Sequence, residues 1–197
     1  MHDVGEIAPL IPSLCLADPA KRAIAAAGIF TRGFAMAGAT AQEWLAHPPL
    51  ASLLVHGPSG APETTVGVAV EPETFERIRI ANQSPRLADV PPDQDAKEFE
   101  LDFAGGVRVD ILTTRQPGGT GAIARYLLKF GEGIQQVEFN VTDVDAATEI
   151  LRERFALEPV YPATRAGADG TRVNFFLVPR TGGGKVLIEL VEASAKS

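Results

Sequence analysis

The side chains best suited to chemistry alternate with apolar ones along short runs that have the pattern of β-strands. Successive side chains on a strand point to opposite faces, so each run separates into an apolar set and a polar set. The polar set offers carboxylates, amides and cations, the groups that hold a polar small molecule or move a proton. Its members are Thr65, Gly67, Glu100, Asp102, Arg108, Asp110, Gln136, Glu138, Asn140, Arg172, Asn174, Phe176, Lys185, Leu187 and Glu189. We interpret this set as the lining of a concave binding face; the alternative is the water-facing side of a one-sided antiparallel sheet.

The complementary apolar sets predict which face of each strand packs beneath helices. Four strands have such a set: Val107, Val109 and Ile111; Val137, Phe139 and Val141; Val173, Phe175 and Leu177; and Val186, Ile188 and Leu190. A helical stripe with Ala147, Leu151 and Phe155 has the spacing needed to cover them. The pattern indicates a sheet with helices on one side and polar groups on the other.

The elements that carry these sets occur in the same order twice. The first copy has a strand at 64–70, a helix at 72–80 and strands at 99–103 and 107–112; the second has a strand at 135–141, a helix at 144–155 and strands at 172–178 and 185–191. Superposing the copies places Thr65 on Gln136 and Asp110 on Glu189. A linker helix at 120–130 joins them. This repetition predicts an α+β domain of two related modules.

The first 60 residues differ in composition from the rest. They are rich in alanine, and Asp18 and Pro19 stand where a helix through 20–30 would begin. A second helical stretch is predicted at 41–45 and a short strand at 52–56. We therefore divide the chain into a mainly helical extension (1–60) and a domain (61–197), with module one at about 62–115 and module two at about 133–193. The extension is interpreted as a pad on the chain's own domain, the alternative being a surface for another chain.

Composition and charge narrow the functional classes. A chain of 197 residues that is 45% hydrophobic can bury one sizeable core, and a net charge of −7 provides no basic field for nucleic acid or anionic lipid. The single cysteine cannot form an intrachain disulfide, and we find neither the basic start of a signal peptide nor an uninterrupted apolar run long enough to cross a bilayer. We expect a cytoplasmic protein with a small-molecule ligand and neither a nucleic-acid nor a membrane partner.

Three stretches resemble one enzyme family. The run VRVDILT begins at Val107, GAIARYLLKFGEGIQQVEFNV begins at Gly121, and FLVPRTGGGKVLIELVE begins at Phe176. Together they resemble the methylmalonyl-CoA epimerase branch of the vicinal oxygen chelate superfamily, which also contains glyoxalases, bleomycin resistance proteins and dioxygenases. The resemblance implies tandem βαβββ modules that form an open eight-stranded barrel, and a homodimer.

The resemblance also implies a divalent metal with one ligand from the first strand and one from the last strand of each module. The corresponding positions here are Thr65, Asp110, Gln136 and Glu189. Neither of the two first-strand positions, Thr65 and Gln136, is histidine. The four side chains therefore offer only oxygen ligands, and such a set favours Mg, Mn or Ca over Zn or Fe. The alternative is a site without a cofactor, where Asp110 and Glu189, brought close together, repel and share a proton, which suits an acid and a base.

Two functions from different classes follow. The first is an isomerase or lyase that moves a proton next to a carbonyl of a small carboxylate or acyl-CoA, with Glu189 and Asp110 as base and acid. Asp95 is a candidate for a further carboxylate. The residues expected to contact substrate are Arg108, Gln136, Glu138, Asn140, Arg172, Asn174, Phe176 and Lys185. The second function is binding or sequestering of a small molecule by a non-catalytic protein on the same scaffold, after loss of the metal site.

Overall fold

Helices and strands alternate along the chain, whose described residues in the computed structural model are 7–57, 59–180 and 183–193. The helices are α1 (Leu10–Ser13), α2 (Pro19–Leu45), α3 (Pro48–Ala51), α4 (Pro72–Ala81), α5 (Ala122–Phe130) and α6 (Val144–Phe155). The strands are β1 (Thr64–Ala69), β2 (Ala96–Phe103), β3 (Val107–Thr114), β4 (Gly133–Val141), β5 (Arg165–Ala166), β6 (Arg172–Pro179) and β7 (Lys185–Glu192). The α+β class is confirmed, and the predicted strands and helices from residue 64 onward occur in the predicted order, with the short β5 in addition. A barrel of eight strands in two tandem βαβββ modules stays a prediction.

The chain divides into two compact units, and each unit is built from two separate segments. The first unit consists of Met1–Gly33 and Thr65–Gln135, and the second of Phe34–Thr64 and Gln136–Ser197. Helix α2 therefore contributes residues to both. The predicted boundary between an extension (1–60) and a domain (61–197) stays a prediction.

The first unit contains the strands β2, β3 and β1 side by side. Strand β3 pairs antiparallel with β2 and parallel with β1. Helix α4 begins at Pro72, whose fixed φ and missing N–H suit the first turn of a helix, and its Phe75 packs edge-on against Phe99 with ring centroids 4.7 Å apart. On β1, Val66 lies so close to helix α2 that a Cβ on Gly33 would be 2.5 Å from its Cγ1. Both helices thus cover the same apolar face of the three strands.

The second unit has the strand order β4, β7, β6 and β5. Strands β4 and β7 are parallel, and the other two pairs are antiparallel. Residues from 34–64 complete its core: Trp44 is fully buried and packs edge-on against Phe139, with ring centroids 5.8 Å apart. The other buried apolar members of this core include Ala37, Ala41, Leu50, Leu54, Val137, Val141, Ala147, Leu151, Phe176, Val178, Val186, Ile188 and Leu190. Their removal from water is the main stabilising contribution to this unit.

The segment that follows α3 runs along the end of β4. The N–H of Val55 donates to the carbonyl of Asn140 at 2.9 Å. His56 instead pairs with Pro62 in a hairpin of its own, so the predicted strand at 52–56 is replaced by isolated bridges.

Helix α2 is one helix of 27 residues where the sequence predicts two shorter ones. Its middle contains Gly33 and Gly38, and glycine weakens a helix by about 1 kcal/mol relative to alanine. Burial of Ala37, Ala41 and Trp44 in the core of the second unit overrides this local preference. By length and composition alone α2 is apolar enough to cross a membrane, but buried core helices pass the same test, so this is weak evidence. The absence of a membrane partner stays a prediction.

Candidate functional site

Three polar side chains, those of Gln136, Glu138 and Glu189, meet on the face of the second unit's sheet opposite its apolar core. The parallel register of β4 and β7 sets Glu138 beside Glu189. Gln136 stands two residues before Glu138 and therefore shares its face. The intervening side chains of both strands are buried in the core: Val137, Phe139, Ile188 and Leu190. The predicted faces of these two strands are confirmed.

The amide of Gln136 links the two carboxylates. Its Nε2 donates to Glu138 Oε1 at 3.0 Å and to Glu189 Oε2 at 2.5 Å. Gln136 is only 6% exposed and Glu189 only 8%, so the shorter bond is shielded from water. Two like charges side by side on neighbouring strands repel, and the amide hydrogens directed at both carboxylates offset part of that repulsion.

An aromatic surface lies beside Glu189, formed by residues that sequence reasoning missed. The register of β6 and β7 places Phe175 directly across from Glu189. Tyr161 packs edge-on against Phe175 with centroids 5.9 Å apart, and the guanidinium carbon of Arg165 is 4.4 Å from the centroid of the Tyr161 ring. Arg165 pairs with Val173, which shares the face of Phe175. Glu189 therefore lies across from one aromatic ring, which contacts a second ring that carries a cation. Aromatic rings and a cation suit an anionic small molecule.

The faces of β6 are the reverse of those predicted. Phe176 is buried in the core, and Nδ2 of Asn174, which is 1% exposed, donates to Thr148 Oγ1 of helix α6 at 3.3 Å. Leu177, predicted to be in the core, is 48% exposed. Both alternate sets of this strand contain aromatic and aliphatic residues, so alternation does not identify the buried one. The predicted substrate contacts of Arg172, Asn174 and Phe176 assumed the opposite face of β6, and they stay predictions.

Arg172 instead fastens the start of α6 to the sheet. Its guanidinium donates to Glu192 Oε2 at 2.9 Å and to the carboxylate of Asp145. Glu192 Oε2 also accepts from the N–H of Val144 at 2.9 Å. Two hydrogen bonds hold the pKa of Asp145 below its ordinary value. The larger effect comes from the Thr164 hydroxyl and the next largest from Arg172. Carboxylates at the first turn of a helix are stabilising because they face the positive end of its dipole.

The first unit has its own polar face. The register places Asp110 beside Gly67 of β1 and across from Glu100 of β2. Thr65 and Arg108 lie two residues before these positions on the same face. Thr65 and Asp110 are 4% and 8% exposed. The ligand role of Thr65, the ligand and acid roles of Asp110 and the substrate contact of Arg108 stay predictions.

Three further candidates have local surroundings of their own. Asn140 Nδ2 donates to Glu63 Oε2 at 3.0 Å, which ties the preceding segment to β4, and Lys185 is exposed at the start of β7. Asp95 has a left-handed backbone with φ 48°, and its Oδ2 accepts from Thr114 Oγ1 at 3.1 Å. Substrate contacts of Asn140 and Lys185 stay predictions.

The two predicted metal ligands of the second unit, Gln136 and Glu189, are hydrogen-bonded to each other through the Gln136 amide nitrogen. Mg, Mn and Ca are held by oxygen ligands, and the amide oxygen of Gln136 and the carboxylate of Glu189 are ligands of that type. Across the part of the chain that the structure describes, no group of three or more His, Cys, Asp or Glu side chains is placed to hold a metal. The predicted preference for Mg, Mn or Ca over Zn or Fe stays a prediction.

The strands of each unit have one apolar face and one polar face, and the fold is of the α+β class. Comparison with solved structures connects this fold to a family. Methylmalonyl-CoA epimerase from Mycobacterium tuberculosis is similar with a TM-score of 0.54 and 31% identity, over 66% of this chain and 87% of that one. The chain belongs to the vicinal oxygen chelate superfamily, in its methylmalonyl-CoA epimerase-like branch.

Further similar structures include complexes. A variant of the Streptomyces coelicolor methylmalonyl-CoA epimerase with 2-nitronate-propionyl-CoA has a TM-score of 0.52 and 26% identity, over 66% of this chain and 96% of that one. A methylmalonyl-CoA epimerase with methylmalonyl-CoA and NH4+ has a TM-score of 0.53 and 25% identity, over 73% of this chain and 96% of that one. No protein-family model matches the sequence, and no curated protein matches it.

Proposed function

We propose that this protein is an epimerase-like isomerase or lyase that transfers a proton next to the carbonyl of a small carboxylate or acyl-CoA. The observation that carries the proposal is the buried carboxylate of Glu189, held by Gln136 and flanked by Phe175. A carboxylate with limited hydration is a better proton acceptor than one in water. The complexes of similar epimerases with acyl-CoA compounds support acyl-CoA as a substrate class.

In this reaction Glu189 removes the proton from the carbon next to the carbonyl. The electron pair of the broken C–H bond forms a C–C double bond, and the carbonyl oxygen becomes an enolate oxygen that hydrogen-bond donors stabilise. The predicted acid, Asp110, would donate a proton to the opposite face of the same carbon, which inverts its configuration. The guanidinium of Arg165, stacked on Tyr161, would bind the anionic part of the substrate.

Deuterium exchange tests the proposal. The full chain is incubated in D2O with methylmalonyl-CoA, propionyl-CoA and a 2-oxo acid, and incorporation is measured by mass spectrometry. Glu189→Gln is expected to lower the exchange rate at least about 100-fold, the typical effect of losing a general base. Glu149→Gln, which changes an exposed carboxylate on α6, is expected to keep the wild-type rate. Exchange that persists in Glu189→Gln contradicts the role of this residue as the base.

A second candidate function is binding without turnover. It is favoured by the two hydrogen bonds of Gln136, which already engage both carboxylates. Titration calorimetry with the same compounds separates the candidates. A heat of binding together with no deuterium incorporation from any compound favours the binding protein.

The oligomeric state and the cellular location also stay proposals. A homodimer rests on the family resemblance, and a cytoplasmic location without a nucleic-acid partner rests on composition and charge. Light scattering of the purified protein measures the oligomeric state directly.

A further inference from the structure

The sheet face that carries Glu189 has an apolar half on the side of β6. The register of β6 and β7 places Phe175 across from Glu189 and Leu177 across from Leu187. Leu187 precedes Glu189 by two residues on β7, so the four side chains share one face. Strand β4, on the other side of β7, contributes amide and carboxylate groups to the same face. Glu189 therefore stands between a polar half and an apolar half, and the apolar half is formed by Phe175, Leu177 and Leu187.

The apolar half is partly open to water. Leu177 is 48% exposed, and Phe175 and Leu187 are half-buried. Glu189, which lies beside them, is only 8% exposed. Single exposed apolar residues are common on protein surfaces, but contiguous ones beside a shielded carboxylate form a surface that a ligand can cover.

The extent of this surface fits a small molecule. Neighbouring strands lie about 4.8 Å apart, and alternate residues of one strand lie about 6.6 Å apart. A group bonded to a carbon atom at Glu189 therefore reaches Phe175 or Leu187 with a few further carbons. A stable interface between proteins needs about 20–30 residues from each partner, far more than the apolar half offers.

The two ends of this face differ in charge. Arg165 of β5 pairs with Val173, which is two residues before Phe175. Leu177 is two residues after Phe175. The cation and the exposed leucine therefore lie in opposite directions along β6 from the position of Glu189. A ligand that spans both directions is anionic at one end and apolar at the other.

We infer that the substrate carries an apolar group of several carbons on the carbon next to its carbonyl, and that the apolar half binds this group. The inference rests on the proposed function, which places that carbon at Glu189. An alkyl chain or a phenyl ring on this carbon lies over Phe175 and Leu187 and extends to Leu177. A methyl group at the same position leaves Leu177 uncovered. The substrate class is therefore an acyl compound with a longer alkyl group or an aryl group next to its carbonyl.

Titration calorimetry of the full chain with propionyl-CoA, butyryl-CoA and hexanoyl-CoA tests this inference, and coenzyme A alone sets the baseline. The three compounds differ only in the alkyl group on the carbon next to the carbonyl, which is methyl, ethyl or butyl. Each buried CH2 group raises the affinity by up to about fourfold, so hexanoyl-CoA is expected to bind at least about 10-fold more tightly than propionyl-CoA. Leu177→Asn is expected to lower the affinity for hexanoyl-CoA at least about fivefold and to leave the affinity for propionyl-CoA unchanged.

Leu45→Asn is the matched control. Leu45 is 39% exposed in the same unit and follows Trp44, which packs against Phe139 in the core on the opposite face of the sheet. This variant is expected to keep the wild-type preference for hexanoyl-CoA. An equal loss of preference in both variants overturns the inference, because the effect is then not specific to the face of Glu189.

Three further results also overturn it. The first is that hexanoyl-CoA binds no more tightly than propionyl-CoA, or that none of the acyl-CoA compounds binds. The second is a Leu177→Asn variant that keeps the wild-type preference. The third is a Leu177→Asn variant whose molecular mass in light scattering falls while its preference does not change, which assigns the apolar half to a contact between two copies of this chain. Circular dichroism shows whether the variant is folded, and if it is not, the wild-type series decides alone.

Deuterium exchange in the same samples tests the proposed reaction separately. A preference for hexanoyl-CoA without exchange from any compound supports the inferred ligand class and contradicts the proton transfer. Exchange without that preference supports the proton transfer and overturns the inferred class.

Discussion

Leu50 tests whether the segment before residue 60 belongs to the core of the second unit. Its side chain is 0% exposed and lies in the same cluster as Trp44 and Phe139. Leu50→Ala leaves a cavity, which lowers the free energy of unfolding by about 2–5 kcal/mol. For a chain of this length the melting temperature should fall by about 5–15 °C. Leu45→Ala is the matched control, because Leu45 is 39% exposed in the same segment and its loss should cost about 1 kcal/mol.

The only tryptophan of the chain reports on this unfolding. Trp44 is 0% exposed, so its emission should shift to longer wavelength when the second unit opens. Thermal melts are followed by this emission and by circular dichroism in parallel. A Leu50→Ala variant that melts with the wild type would mean that the 34–64 segment is not packed in this core, and the reasoning would be refuted.

Two further predictions concern packing and pH. Gly33→Ala is expected to lower the free energy of unfolding by about 1–3 kcal/mol, because the new Cβ would lie 2.5 Å from Val66 Cγ1. Gly38→Ala is the control, because its Cβ would meet nothing within 4 Å, and it is expected to raise the free energy of unfolding by about 0.5–1 kcal/mol. Urea melts measure both variants, and equal destabilisation of the two would contradict the packing argument. Burial raises the pKa of Tyr126 from 10.0 to about 12, and its hydroxyl donates to the Ile134 carbonyl at 2.7 Å. The folded state favours the neutral phenol, and this preference contributes to the free energy of unfolding. The contribution is complete below pH 10 and is lost between pH 10 and 12, at up to about 1.4 kcal/mol per pH unit. In Tyr126→Phe the melting temperature should fall less between pH 10 and 12 than in the wild type. Identical dependence of the two melting temperatures on pH would contradict this prediction.

Alternation within one strand predicts its buried face only when one of its two sets is polar. In β4 the residues next to Val137 and Phe139 are amides and carboxylates, so the assignment was correct. In β6 the set that contains Arg172 and Asn174 also contains Phe176 and Val178, so polarity does not identify the buried set. Pairing decides it: Phe176 lies across from Ile188, which is in the core. The register between two strands is not contained in the alternation of either strand.

The candidate site was predictable to a similar extent. The shared face of Gln136, Glu138 and Glu189 follows from the period of two along a strand, but their hydrogen bonds depend on the spacing of two strands that are far apart in the sequence. Tyr161 and Arg165 lie in an irregular stretch without hydrophobic periodicity. They reach the polar face because β5 pairs with β6, which only the folded chain shows.

The interleaving of the two units along the chain constrains how the protein is made on the ribosome. All segments of the first unit have been synthesised when Gln135 is added, whereas the second unit needs Phe34–Thr64 and the segment that begins at Gln136. At about 5–20 residues per second, the early segment waits roughly 10 s for β6 and β7. Until the residues from Gln136 onward are made, Trp44 and Leu50 lack their partners on β4, α6, β6 and β7. A nascent chain stalled near residue 135 should therefore present a binding site for ribosome-associated chaperones.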